Sequence, residues 1–239
     1  MKNNFQFTFA KLEEHFGEIL KNGYKVITCR DYIDYKKNKQ DYKIFVNRVD
    51  VDKSIRKAKR VAEIFNKLDI KGSFFIRLHA DEYNPFSFEN YKILKYIIES
   101  GHEIGYHSEV IDESVIWGED AVECLKRDIE FINSLLGIKI KGISSHHGFT
   151  GLNNLDFWKE RKAADFGLLY ETYDTQPDFD LFNNSFYVSD SNWFYWKCYN
   201  KGILVENDRR NPGEHARDNH KVIYSLIHPE TYYDSHFYE

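Results

Sequence analysis

The sequence predicts an α/β fold built on mainly parallel strands. Apolar runs of strand length alternate with amphipathic helical stretches for most of the chain. Several helical stretches stop at a glycine, and polar clusters sit just past the strands, where α/β folds keep their active sites. At 239 residues and 28.5 kDa the chain can bury a sizeable core. With only four prolines and no linker-like stretch or internal repeat, it reads as one domain over residues 1–239.

The elements follow in order. Phe9, Leu12, Phe16 and Ile19 recur at helical spacing, and Glu13, Glu14 and His15 interrupt them, which excludes a signal-peptide core. Residues 24–28 read as a short strand, followed by a charged, Tyr-rich loop through Lys39, Gln40 and Asp41. Strand 43–51 leads to Ser54, a suitable helix cap, and a helix with Ile55, Ala58, Val61, Ala62, Phe65 and Leu68 on one face. Lys71-Gly72 breaks that helix before strand 73–76. Residues 91–100 are helical up to Gly101, and 103–106 form a strand ending at His107. A helix over 120–136 stops at Gly137, and strand 139–143 runs into Ser144-Ser-His-His-Gly148. Short apolar segments follow around 166–170 and 186–188, then strand 222–227 ends at His228-Pro229.

Composition narrows the function. A formal net charge of −5 gives no support for binding nucleic acid or an anionic membrane, and no run approaches the length of a membrane span. Aromatic residues reach 17%, enough to line a sugar groove, although most serve as core. Cys29, Cys124 and Cys198 are odd in number and lack Cys-x-x-Cys spacing, which suits a reducing cytoplasm.

Four polar clusters follow strands: Arg48/Asp50/Asp52, His107/Glu109, His146/His147 and His228. In Asp-x-Asp at strand spacing both acids lie on one face, so one could bind a metal while the other serves as a base. Two imidazoles and a carboxylate form a recurrent catalytic metal set, and such a metal lowers the pKa of water to about 7. A histidine opposite could protonate a departing amine.

Arg48-Val-Asp-Val-Asp52, Gly72-Ser-Phe-Phe75, Gly101-His-Glu-Ile-Gly-Tyr-His107, Ser189-Asp-Ser191 and Leu226-Ile-His-Pro229 occur in that order. Over roughly residues 44–229 the chain resembles the polysaccharide deacetylase superfamily, carbohydrate esterase family 4. Within it, the chain is most similar to the intracellular WbmS-like branch. The resemblance implies a distorted (β/α) barrel that uses a divalent metal, commonly zinc, to hydrolyse N-acyl groups from amino sugars. It gives Asp50 as general base, Asp52 and His107 as metal ligands, His228 as general acid and Asp190 as an orienting carboxylate, with Arg48 preceding the Asp50/Asp52 pair as in Arg-x-Asp-x-Asp members. Gly72-Ser-Phe-Phe75 is implied to be structural. The substrate implied is an N-acetyl or N-formyl amino sugar, nucleotide-linked or another soluble precursor of surface polysaccharide.

One position departs from the pattern. The family's second metal histidine falls at Ile111, which cannot ligate. A histidine from Ser145-His-His-Gly148 is the preferred replacement, with His146 and His147 both open, and Glu109 and Asp112 as further candidates. The departure motivates a second reading, a degenerate deacetylase that binds a sugar without turnover. Metal-dependent phosphoester hydrolysis fits the His-Pro and Arg-x-Asp-x-Asp motifs less well.

Remaining polar residues carry weaker expectations. His102 suits a structural hydrogen bond, and His79 opens a loop that could reach substrate or lie on the surface. Trp193 and Trp196 could stack on a sugar or pack in the core. Arg209, Arg210 and Arg217 could contact a phosphate or stay solvated. His15, His215, His220 and His236 have no supporting neighbourhood in the sequence.

Overall fold

The computed structural model describes residues 5–236. Among them, ten strands join one sheet in the order β6-β5-β4-β3-β2-β10-β7-β8-β9, with β1 beside β2. The strands are β1 (Lys25–Ile27), β2 (Ile44–Val51), β3 (Ser73–Ile76), β4 (Glu103–Ser108), β5 (Gly142–Ser145), β6 (Tyr170–Glu171), β7 (Phe186–Ser189), β8 (Lys197–Asn200), β9 (Ile203–Leu204) and β10 (Val222–Ile227). All pairings from β6 through β7 are parallel, and only β7–β8–β9 are antiparallel. The predicted α/β fold with mainly parallel strands is therefore observed.

The sheet is rolled but not closed. β6 and β7 do not pair, yet side chains cross the interior: Tyr173 and Tyr187 hydroxyls meet at 3.1 Å, and Tyr224 OH donates to the Thr172 carbonyl at 3.4 Å. β1 and β3 share one edge of β2 end to end, opposite Ile44–Val46 and Arg48–Val51 respectively.

Strand alternation sorts β2 into two environments. Phe45, Val49 and Val51 face the outer core, while Ile44 and Val46 face the inner one, and Arg48 and Asp50 continue that inner series. β4 obeys the same rule, with Ile104 and Tyr106 in the outer core, so His107 points inward. Gly142 leaves room for the Tyr170 ring, whose atoms would lie 2.0–2.5 Å from an added Cβ.

The outer core lies under helices α1 (Phe9–Lys21), α3 (Ile55–Lys67), α4 (Phe88–Glu99) and α6 (Ala121–Leu136). Ser54 caps α3 by accepting from the Lys57 N–H at 3.2 Å, and Ile55, Ala58, Val61, Ala62 and Phe65 are buried. Each large apolar side chain buried this way stabilises the fold by about 1.5–3 kcal/mol. Gly137 ends α6 in the left-handed conformation, as its position predicts.

Three features differ from expectation. The stretch read as a loop after residue 28 begins with helix α2 (Cys29–Lys37), capped by Thr28 and Asp31 and anchored by buried Cys29, Tyr32 and Tyr35. A short helix, α5 (Val110–Trp117), follows β4 directly. β5 starts at Gly142, three residues later than read, which carries Ser144 and Ser145 into the sheet.

Candidate active site

The inward ends of β2, β4, β5 and β10, with the turn after β7, meet around a cavity of about 590 Å³. Asp50, Asp52, His107, His146, His147, Trp193, Lys197 and His228 are among its lining residues. All four polar clusters expected at strand ends contribute to this cavity, although Glu109 sits behind its wall.

Arg48 lies at the base, 1% exposed. Its Nε donates to Asp50 Oδ1 at 2.9 Å, and its Nη2 donates to Asp50 Oδ2 and Ser144 Oγ, both at 2.6 Å. Nη1 donates to Tyr224 OH at 3.2 Å, and the guanidinium lies 4.7 Å from the Tyr173 ring centre. Burial alone would raise the Asp50 carboxyl, but Arg48 and His107 outweigh it and hold the group below its ordinary value.

Asp52 stands one residue beyond β2. Its Oδ1 lies 3.2 Å from His107 Nε2, and its Oδ2 lies 4.0 Å from His146 Nε2 and 3.9 Å from His228 Nε2. Burial opposes ionisation here too, yet the surrounding imidazoles bring the net shift down. Asp52, His107 and His146 each offer a ligand atom within 4.8 Å of the others.

The imidazoles are oriented from behind. His107 Nδ1 donates to the Ser144 carbonyl at 2.8 Å, which aims Nε2 at Asp52. His146 Nδ1 lies 3.1 Å from Glu109 Oε1, so its Nε2 likewise turns inward. His228 Nδ1 donates to Asp190 Oδ1 at 2.6 Å, and the His228 N–H donates to Oδ2 at 2.9 Å. Burial would lower the His228 pKa, but the buried Asp190 carboxylate outweighs it and raises the value to about 10.

His146 and His147 differ in their relation to the cluster. His146 belongs to it, whereas His147 is exposed on the cavity wall. Glu109 and Asp112 face other partners. Glu109 Oε1 accepts from Arg77 Nε at 3.1 Å and Nη2 at 2.8 Å. Asp112 accepts from the N–H groups of Phe149 and Thr150 and from Asn154 Nδ2, fixing the loop beyond His146. Ile111 packs against the outer core.

Arg77 was missed in the sequence, although it too follows a strand. Besides gripping Glu109, its Nη1 donates to the Asp52 carbonyl at 2.9 Å, which links the backbone at Asp52 to the residue behind His146. Asn154 was also missed. It receives the Ile111 and Asp112 N–H groups and donates to the His146 carbonyl at 3.1 Å. Neither role leaves a local sequence signal beyond residue type.

Several weaker expectations are redirected. His79 faces Glu113 and Asp128 at 3.2 and 3.3 Å, away from the central cavity. His102 accepts from the Gly72 N–H at 3.2 Å, a structural contact. Trp193 lines the cavity, whereas Trp196 is core. Arg210 pairs with Asp208 and Asp218, Arg217 with Glu18, and Arg209 covers the Tyr195 ring, so each already has a protein partner.

No protein-family model and no curated protein matches the chain. Among solved structures, a similar one is a mutant of a CE4 family pseudoenzyme with restored enzymatic activity. The two align at 16% identity with a TM-score of 0.46, over 79% of this chain and 57% of that one. The chain thus spans little more than half the length of that structure.

The residues fit a divalent cation. Two inward Nε2 atoms and one carboxylate, all within 4.8 Å of one another, form a donor set typical of catalytic zinc. Among the described residues, no helix is long and apolar enough to cross a membrane.

Proposed function

We propose that this chain is a metal-dependent amidohydrolase that removes an acetyl or formyl group from an amino sugar. The reading places it with the polysaccharide deacetylases of carbohydrate esterase family 4, in the WbmS-like branch. The substrate is a soluble precursor of surface polysaccharide, nucleotide-linked in the form we favour. Three buried free thiols suit work in the cytoplasm.

The observation that supports the reading best is that Asp50 and His228 share one cavity with the Asp52/His107/His146 cluster, Asp50 Oδ2 lying 3.4 Å from His107 Nε2 and His228 Nε2 lying 3.9 Å from Asp52 Oδ2. Those three residues would hold the cation, which when bound supplies Lewis acidity toward an amide carbonyl and acidifies water. Asp50, kept ionised by Arg48, takes a proton from the attacking water. His228, kept protonated by Asp190, gives a proton to the sugar nitrogen as the C–N bond breaks. The products are a free amine and a carboxylate.

A sugar-binding protein without turnover is the second reading, motivated by Ile111 at the family's usual ligand position. Mass spectrometry of nucleotide-linked N-acetyl and N-formyl amino sugars, incubated with zinc-loaded protein, separates the two. Loss of the acyl mass is expected. Bound sugar with no mass change across the panel would favour the binding protein.

A further inference from the structure

We propose that Cys198, Asp208 and His215 form a second cation site, suited to a borderline-soft divalent ion of the zinc class. The site is independent of the cavity described above. Cys198 comes from β8, at the antiparallel end of the sheet, whereas Asp208 and His215 come from the connection between β9 and β10. The part of that connection around the site has only two short helical turns, Pro212–His215 and Ala216–Asp218. Apolar packing of Ala216 and ring contacts of His215 and His220 with Phe186 join the polar cluster in holding it to the sheet.

The three ligand atoms lie within 4.8 Å of one another. His215 Nε2 is 3.3 Å from Cys198 Sγ and 3.5 Å from Asp208 Oδ1. A tetrahedral zinc with ordinary bond lengths keeps sulfur, nitrogen and oxygen ligands about 3.3–3.6 Å apart. Thiolate, imidazole and carboxylate together suit zinc better than magnesium or calcium, which prefer oxygen.

A further observation points to a ligand. His215 is fully buried, and its Nδ1 has no hydrogen-bond partner. That atom lies 3.6 Å from Asp218 Oδ2, the arrangement in which an outer carboxylate backs a metal-bound imidazole. His220 Nε2, also without a partner, lies 3.8 Å from the same oxygen.

Arg210 balances charge on the outer side. Its N–H and Nε donate to Asp208 Oδ1, and its Nη2 donates to Oδ2, while Nη1 reaches Asp218. Two of these bonds fill Oδ1 and one falls on Oδ2, so the acceptor position left for an ion is on Oδ2. With a dication, a thiolate, two aspartates and one arginine, the group is neutral. Asp208 also lines a surface cavity of about 540 Å³, which provides a way in. On binding, the Cys198 S–H bond breaks, a sulfur–ion bond forms and the proton passes to solvent.

The test uses Co²⁺ as a spectroscopic substitute for zinc, added to the full chain carrying His107→Ala so that the other cluster is disabled. A thiolate-to-cobalt charge-transfer band is expected, and Cys198→Ser should abolish it. No band, or a band that survives Cys198→Ser, would overturn the site. Asp218→Asn keeps all three ligands and avoids a core substitution. It should weaken Co²⁺ binding about 10- to 100-fold while the band returns at saturation. Unchanged affinity would overturn the assignment. Since every arm reads binding in the absence of His107, failure here leaves the proposed deacylation untouched, and the reverse also holds.

Discussion

Arg48 holds both oxygens of Asp50 from two residues away on the same strand, at 2.9 and 2.6 Å, with both side chains almost fully buried. Each charge is almost withdrawn from solvent and is balanced by the other. Arg48→Met should therefore leave a buried, uncompensated carboxylate and cost about 3–5 kcal/mol of stability. Urea denaturation measures this, and Arg48→Met/Asp50→Asn should recover part of the loss.

The candidate ligands and the candidate base separate by metal content. Asp52→Ala, His107→Ala and His146→Ala should each cost one equivalent of zinc, whereas His147→Ala should not. Asp50→Asn should keep zinc and reduce turnover about 10²- to 10⁴-fold. Elemental analysis beside a turnover assay checks all five.

Arg77 and Glu109 reach the cluster only through others. Glu109→Gln removes the charge behind His146 and should weaken zinc binding about 10- to 100-fold. Arg77→Met should have a similar effect, because it frees Glu109 and the Asp52 carbonyl together. Competition with a chelator gives the affinity.

The His228–Asp190 pair should shape the response to pH. Its folded-state pKa of about 10 lies above the ordinary histidine value near 6.5. The pair therefore stabilises the fold fully below about pH 6.5, and that contribution fades as pH rises to about 10. If His228 donates the proton, activity falls on the same alkaline limb. Asp190→Asn should move that limb toward the ordinary value, which a kcat/KM profile would show.

Gly148 turns the chain just beyond His146 and His147. An added Cβ would lie 1.7 Å from the Leu152 carbonyl oxygen, so no side chain fits without moving backbone. Gly148→Ala should shift the loop, lower zinc content and reduce Tm. Calorimetry and elemental analysis would record both.

The sequence made the parallel framework legible because β2, β3, β4 and β10 are continuous apolar runs with polar ends. The same rule reached Asp50, Asp52, His107, His146 and His228. It passed over Arg77 because an arginine after an apolar run also reads as a solvated loop charge. Helix α2 was hidden by its Tyr, Lys and Asp content, since its buried face is carried by Cys29, Tyr32 and Tyr35 rather than by aliphatic residues. His215 and His220 gain neighbours only when the segment before β10 folds back onto β8. Distance along the chain concealed that proximity.

The sheet ends on each side in a two-residue strand, β6 and β9. A stub that short gives an incoming strand little to pair with. Ile203 and Leu204 on β9 are nonetheless exposed at 73% and 47%, so the brevity of the strand limits what that edge offers for pairing. Extending β9 by a few strand-forming residues should promote aggregation, which light scattering would record.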